Sequence, residues 1–217
     1  MTGVTKTLRI PAAATLAACL VLTSCGGDDK KASDQPSGTP TPSPSISLPP
    51  GVTLTAPGTE LQFGDTATVQ YAPTQSLGTI LTFTVKNATL GRLSDLKGFN
   101  LDTPYKKNAN YYFVNVKVEN VGDGDLGGRD IPLTGVNEEN TYLPPVVFQS
   151  AFEKCPSERM PKKFGTGAKF STCLVFLAPD KGDLTAVSYR PTETSTAITW
   201  SGEIQQPAPV KKKSKKN

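Results

Sequence analysis

Hydrophobic and polar residues alternate with a period of two along much of this chain. In residues 79–86, Leu81, Phe83 and Val85 fall on one face while Thr82, Thr84 and Lys86 fall on the other. That is the pattern of a half-buried β-strand. Residues 111–119 repeat it, with Tyr112, Val114, Val116 and Val118 inward and Asn115, Lys117 and Glu119 outward. Further strands are predicted at residues 66–71, 131–133, 141–149, 169–177, 184–190 and 197–204. Pro144-Pro145 demotes the 141–149 stretch to an edge or a break, because proline brings no N–H to a ladder. Gly122-Asp123-Gly124-Asp125 reads as a turn. No 3.6-residue stripe is sustained, and a single helical turn is expected within residues 94–105. Seven or so short strands separated by turns predict an all-β fold, an antiparallel β-sandwich over residues 59–206. A domain of about 150 residues buries near 70% of its unfolded surface, enough to stand alone.

The chain before this domain follows a different pattern. Lys6 and Arg9 precede an apolar run of 13 residues, 10–22. Roughly 20 residues are needed to span a bilayer as a helix, so the run suits an export signal better than a permanent span. It ends in Leu22-Thr23-Ser24-Cys25, which resembles the bacterial lipobox. That resemblance implies a signal peptide over residues 1–24, cleavage before Cys25, and a diacylglyceryl group on the Cys25 thiol. The alternatives are a plain secreted protein and an inert cysteine. Two or more acyl chains, at about 0.8 kcal/mol per buried methylene, anchor stably where one does not. The expected address is therefore the extracytoplasmic face of the cell membrane, with the membrane as a partner through Cys25. Residues 26–58, rich in Pro, Ser, Thr and Gly, read as a disordered linker with a polyproline-favouring centre.

Charge narrows the function. The whole chain carries 23 basic and 19 acidic residues. Two basic residues leave with the signal and five lysines crowd into residues 211–216. Residues 59–206 hold 14 basic and 16 acidic side chains, near neutrality, which argues against a nucleic-acid surface. The chain has no histidine, which removes the usual general base, the commonest metal ligand and any histidine triad. Trp200 is the single tryptophan, so a broad stacking platform is not expected. No cofactor and no metal site is expected. With Cys25 assigned to lipid, Cys155 and Cys173, 18 positions apart, are read as a disulfide. The rival reading, a two-thiol metal site, lacks further ligands.

Two stretches carry a family resemblance. Residues 112–122, Tyr-Phe-Val-Asn-Val-Lys-Val-Glu-Asn-Val-Gly, are similar to the central strand of a group of bacterial exported domains, ending in Asn, an aliphatic residue and Gly. Residues 167–179, a glycine turn leading into a Val-Phe strand closed by proline, resemble its second landmark. The group is DUF4352, and the resemblance, over residues 64–189, implies an MPT63-like, immunoglobulin-like fold. It brings no catalytic residues.

The remaining motifs are weak. Asp123-Gly124-Asp125 starts like a calcium loop, but Gly127 and Thr134 stand where ligands are needed. Gly165-Thr166-Gly167-Ala168-Lys169 lacks phosphate-loop spacing. Glu138-Glu139 suits a solvated tip better than acid-base work, and Asn87-Ala88-Thr89 matches a glycosylation sequon by chance. The stretch 152–164 is the candidate partner-binding loop, with Arg159, Lys162 and Lys163 beside Phe152, Met160 and Phe164. Its other reading, slightly favoured, has the apolar residues capping the sandwich. The lysines of the tail either touch anionic lipid or wall polymer, or are simply solvated. These observations lead to a monomeric, non-enzymatic, lipid-anchored binding module with a protein or cell-wall partner. The alternatives are a hydrolase using carboxylates alone, which needs two acids across a cleft, and an accessory solute-binding lipoprotein.

Overall fold

The computed structural model describes residues 46–101 and 103–207. The signal, Cys25, most of the linker and the lysine tail lie outside the described residues.

The alternating stretches become ten strands: β1 (Glu60–Gln62), β2 (Thr66–Thr74), β3 (Leu77–Leu90), β4 (Asn110–Asn120), β5 (Thr134–Asn137), β6 (Tyr142–Leu143), β7 (Lys169–Ala178), β8 (Leu184–Tyr189), β9 (Ile198–Ser201) and β10 (Ile204–Gln205). One sheet runs β1-β9-β8-β5-β6. The other runs β10-β3-β4-β7, with β2 also on β3. The two sheets enclose one core, giving a β-sandwich. Leu81, Phe83 and Val85 of β3 and Val114, Val116 and Val118 of β4 face Val187 and Tyr189 of β8 and Trp200 of β9. Phe83 and Tyr189 meet across the layers with ring centroids 5.8 Å apart. Burying each such side chain stabilises the fold by about 1.5–3 kcal/mol.

The structure departs from the expected antiparallel pairing at two margins, where β1 pairs with β9 and β10 with β3 in parallel. Both pairs are two or three residues long and close edges. Residues 131–133 do not form a strand; β5 starts one residue later. In β3 the alternation breaks because a bulge between Val85 and Asn87 shifts the register, so that Ala88, not Asn87, returns to the core. The expected helical turn is realised as a 3-10 turn at Leu93–Leu96 and one α-helical turn at Pro104–Lys107.

The outer face of β4 and β7 is also buried. Tyr111, Phe113, Cys173 and Val175 join Leu96, Ala109, Phe152 and Cys155 in a second apolar cluster. Residues 91–101, 103–109 and 146–157 supply its cover, and Phe152 meets Phe99, Phe113 and Phe148 at 5.0–5.5 Å between centroids. The Cys155–Cys173 disulfide is formed, with Cα atoms 4.9 Å apart, and joins the cover to β7. Lys154 adds an ion pair to Asp95 at 2.6 Å.

Candidate functional site

The site begins with a segment expected to be disordered. Residues 46–58, assigned to the linker, pack on the domain, so the folded unit starts before Thr59. Val52, Leu54 and Ile46 give this stretch apolar side chains that the Pro/Ser/Thr-rich region before it lacks. The Thr55 N–H donates to Thr68 O at 2.8 Å, and the Thr68 N–H donates to Thr55 Oγ1 at 2.9 Å, which ties the segment to the free edge of β2. It then turns at residues 56–59, where the Thr59 hydroxyl donates to Ala56 O at 2.6 Å and Gly58 takes a φ of 80°. Only glycine holds that conformation readily. Immediately after, the Thr199 N–H donates to Thr59 O at 3.1 Å and β1 pairs with β9. Residues 55–59 therefore cross from one sheet to the other as a strap.

Beneath the strap the edge of the sandwich stays open. The space between Val69 of β2, Tyr189 and Ile198 of the opposite sheet, and Leu54 and Pro57 of the strap is a cleft of about 550 Å³. Volumes of this order suit a small-molecule ligand. Its remaining wall is Thr55, Ala56, Gln70, Ala72, Pro191, Thr192 and Thr196. None of these residues is an acid or a base.

Three of the four hydroxyls in the wall already have partners. Tyr189 donates its hydroxyl to Gln70 O at 2.6 Å, joining the two sheets across the cleft floor. Burial pushes the Tyr189 phenol well above the ordinary tyrosine range, and neighbouring Tyr71 adds to the effect. It is a neutral hydrogen-bond donor at any physiological pH. Thr55 Oγ1 serves Thr68, and the Thr192 hydroxyl pairs with Ser195 at 2.6 Å.

The loop singled out from sequence behaves differently. Phe152, Met160 and Phe164 are buried, the first in the second cluster and the others in the main core. They are not offered to a partner, which corrects the partner-binding reading and agrees with the capping one. The reason is backbone stitching: Met160 N donates to Arg129 O at 2.9 Å, and Phe164 N donates to Asp125 Oδ1 at 2.8 Å. What remains outside is Lys162, Lys163 and Arg159, the last paired to Asp130 at 2.7 Å with both side chains exposed. Such a surface pair contributes about 0–1 kcal/mol.

Asp125 is likewise occupied. Its Oδ1 accepts from the Phe164 and Gly127 N–H groups, and these two bonds hold the carboxyl below its ordinary range. Among the described residues no three His, Cys, Asp or Glu side chains gather as a metal cluster would. Glu138 Oε2 accepts from Asp183 N at 2.6 Å and so braces a turn. Asp130 and Glu158 share a small concavity of about 240 Å³, where Asp130 is held by Arg159. In the Gly165–Lys169 stretch, Gly167 N donates to Asn120 O at 2.7 Å and Thr166 donates to Gly122 O at 2.8 Å, a strand-entry turn.

Sequence reasoning missed the cleft residues. Leu54 and Pro57 were assigned to the linker, and Val69, Tyr189 and Ile198 are ordinary core letters until the strap closes over them. The signal that could have raised suspicion was the run of aliphatic residues Val52 and Leu54 ahead of the first strand.

No family model matches the chain, and no curated protein matches it. Among the described residues, no helix is long and apolar enough to cross a membrane. Among solved structures the chain is similar to MPT63, a secreted protein from Mycobacterium tuberculosis known from a 1.5 Å crystal structure. The match covers 68% of this chain and 100% of that one, at 10% identity and a TM-score of 0.48.

Proposed function

We propose that the protein is a lipid-anchored, extracytoplasmic, non-enzymatic binding module whose ligand enters the cleft under the strap. The anchor rests on the lipobox-like Leu22-Thr23-Ser24-Cys25. Kinship with the DUF4352 group rests on the two landmark strands at residues 112–122 and 167–179. The observation that carries the binding reading is a cleft of about 550 Å³ walled by both sheets, with no ionisable group that could act as acid or base at neutral pH. A shaped concavity without reactive groups binds and releases; it does not transform. This moves the expected binding surface from the 152–164 loop to the strap-covered edge.

The carboxylate-only hydrolase is supported less well, because no Asp or Glu lines this cleft. The solute-binding reading remains compatible with a cleft, though ligand would sit between two sheets of one domain.

Two experiments test the proposal. Metabolic labelling with an alkyne fatty acid is expected to mark the chain, and Cys25→Ser is expected to abolish the mark; an unlabelled chain overturns the anchor. For the cleft, the Cys25→Ser chain is incubated with extract of cell envelope, repurified, and its retained small molecules identified by mass spectrometry. Retention by this chain and loss on Ala72→Phe are expected. Equal retention by both would show that the cleft is not the site.

A further inference from the structure

This inference rests on the cleft being the binding site, and it names what the cleft takes. We infer that its ligand is a hydrocarbon chain, an acyl or prenyl tail of a free lipid-like molecule, bound through the tail with the headgroup left in solvent.

Three observations lead there. First, the wall offers no charge: among its residues only Tyr189 titrates, and its hydroxyl is committed to Gln70 O. A charged or zwitterionic solute buried there would lose hydration with nothing to replace it, a cost of several kcal/mol. Second, three of the four wall hydroxyls, those of Thr55, Tyr189 and Thr192, are already paired, which leaves the Thr196 hydroxyl and the Gln70 amide. Thr55 Oγ1 accepts from Thr68 N, and Thr192 is bonded to Ser195. A sugar or peptide, whose recognition depends on directional hydrogen bonds, would find few donors and acceptors open to it. Third, the surfaces that remain are aliphatic. Val69 and Ile198 form buried floor, Pro57 and Pro191 form rigid walls, and Leu54 stands partly exposed at the lip. An apolar side chain kept in water at the rim of an apolar cleft gains by covering a ligand.

The headgroup part follows from the same wall. With no lysine, arginine, aspartate or glutamate among the lining residues, nothing in the cleft distinguishes one headgroup charge from another.

The test uses the Cys25→Ser chain and a neutral fluorescent naphthylamine probe, displaced by alkanols and alkanoates of increasing length below their aggregation limits. Affinity is expected to rise about fourfold per added methylene until the cleft is filled, the signature of hydrocarbon burial. An alkanol and the alkanoate of equal length are expected to bind within about threefold of one another. Ala72→Phe and Ala56→Phe, both at exposed positions lining the cleft, are expected to abolish saturable displacement with unchanged thermal midpoints. Val147→Ser, at a separate concavity, is expected to leave it intact.

A flat chain-length dependence overturns the inference, as does a tenfold preference for either headgroup charge. Saturable binding of glucose or amino acids that is lost in the two blocking variants would overturn it while leaving the cleft as the binding site. Probe binding that survives both blocking variants would remove the cleft itself. The wild-type lipidated chain forms a last arm. If it alone fails to bind probe, its own acyl chain occupies the cleft, and the free-ligand assignment falls.

Discussion

The Asn120 side chain accepts the Thr79 hydroxyl at 2.7 Å, joining residues 41 positions apart in a fully buried pair. The same Asn120 oxygen accepts from Gly122 N at 3.1 Å, and its amide donates to Gly124 O at 2.6 Å and Phe164 O at 2.7 Å. Thr79 in turn accepts from Gly124 N at 3.2 Å. One amide thereby holds the 122–124 turn, the end of the 152–164 loop and the start of β3. This gives a physical meaning to the Asn-Val-Gly ending of the first landmark strand: it specifies how the turn closes.

Truncating that hub should be costly. Asn120→Ala leaves the Thr79 hydroxyl without an acceptor and Gly124 O without its donor in a buried site, takes one of two bonds from Gly122 N and from Phe164 O, and should destabilise by about 3 kcal/mol. Thr79→Val removes one donor and should cost about 1–2 kcal/mol. Urea unfolding of both and of the double variant measures this. A double variant matching the sum of the singles would show that the two groups do not act as a unit.

The glycines of the same region divide by surroundings. A Cβ on Gly124 would lie 2.2 Å from Gly78 O, and one on Gly127 would lie 2.0 Å from Lys162 O. Gly165 has nothing within 4 Å. Gly124→Ala and Gly127→Ala should each destabilise by about 1–3 kcal/mol or more through overpacking, whereas Gly165→Ala should stay within about 0.5 kcal/mol of wild type. Thermal midpoints read the contrast, and equal effects at all three sites would contradict the close-approach account.

The disulfide should matter twice. Replacing Cys155 and Cys173 together by alanine should cost about 3 kcal/mol through the freed unfolded chain. It should also loosen the cover of the second cluster, since Cys155 is the covalent link between residues 146–157 and β7. Hydrogen exchange should show amides of residues 146–157 losing protection while those of Phe83 and Val116 keep theirs. Uniform loss would indicate a single cooperative unit instead.

Stability should fall on the alkaline side. Burial raises the phenols of Tyr71, Tyr111, Tyr112 and Tyr189, with a hydrogen bond to Asp183 adding to the effect at Tyr112. In the unfolded chain these groups ionise near about pH 10. The folded state therefore binds more protons above that point, so its stabilisation is complete below about pH 10 and is lost as pH rises through the folded values. On the acid side, burial alone would raise the Asp95 carboxyl, but Lys154 and the Arg92 N–H outweigh it and hold it low. Its contribution is present above about pH 4 and is lost as pH falls through the folded value. Urea midpoints across pH should trace a plateau with both shoulders, and Tyr189→Phe should flatten the alkaline one.

What the chain by itself determined was the strand content and which face of each strand points inward. Those properties come from neighbours two positions apart, as at Leu81, Phe83 and Val85 or Val114, Val116 and Val118, so a local reading captures them. It also indicated the Cys155–Cys173 pairing, because few thiols were left to choose from. The second cluster was less legible: Tyr111 and Phe113 break the inward–outward contrast by being apolar on both faces, which is how a strand covered on two sides reads. The bulge after Val85 and the parallel margins were invisible, since each depends on a partner strand distant in sequence. The burial of Met160 and Phe164 was open between two readings, and backbone bonds to Arg129 and Asp125 decided it. The cleft was decided wholly by tertiary structure. Pro57, Val69 and Tyr189 share no period and no motif; they meet because the strap crosses from β2 to β9 and the Tyr189 hydroxyl joins the sheets beneath it.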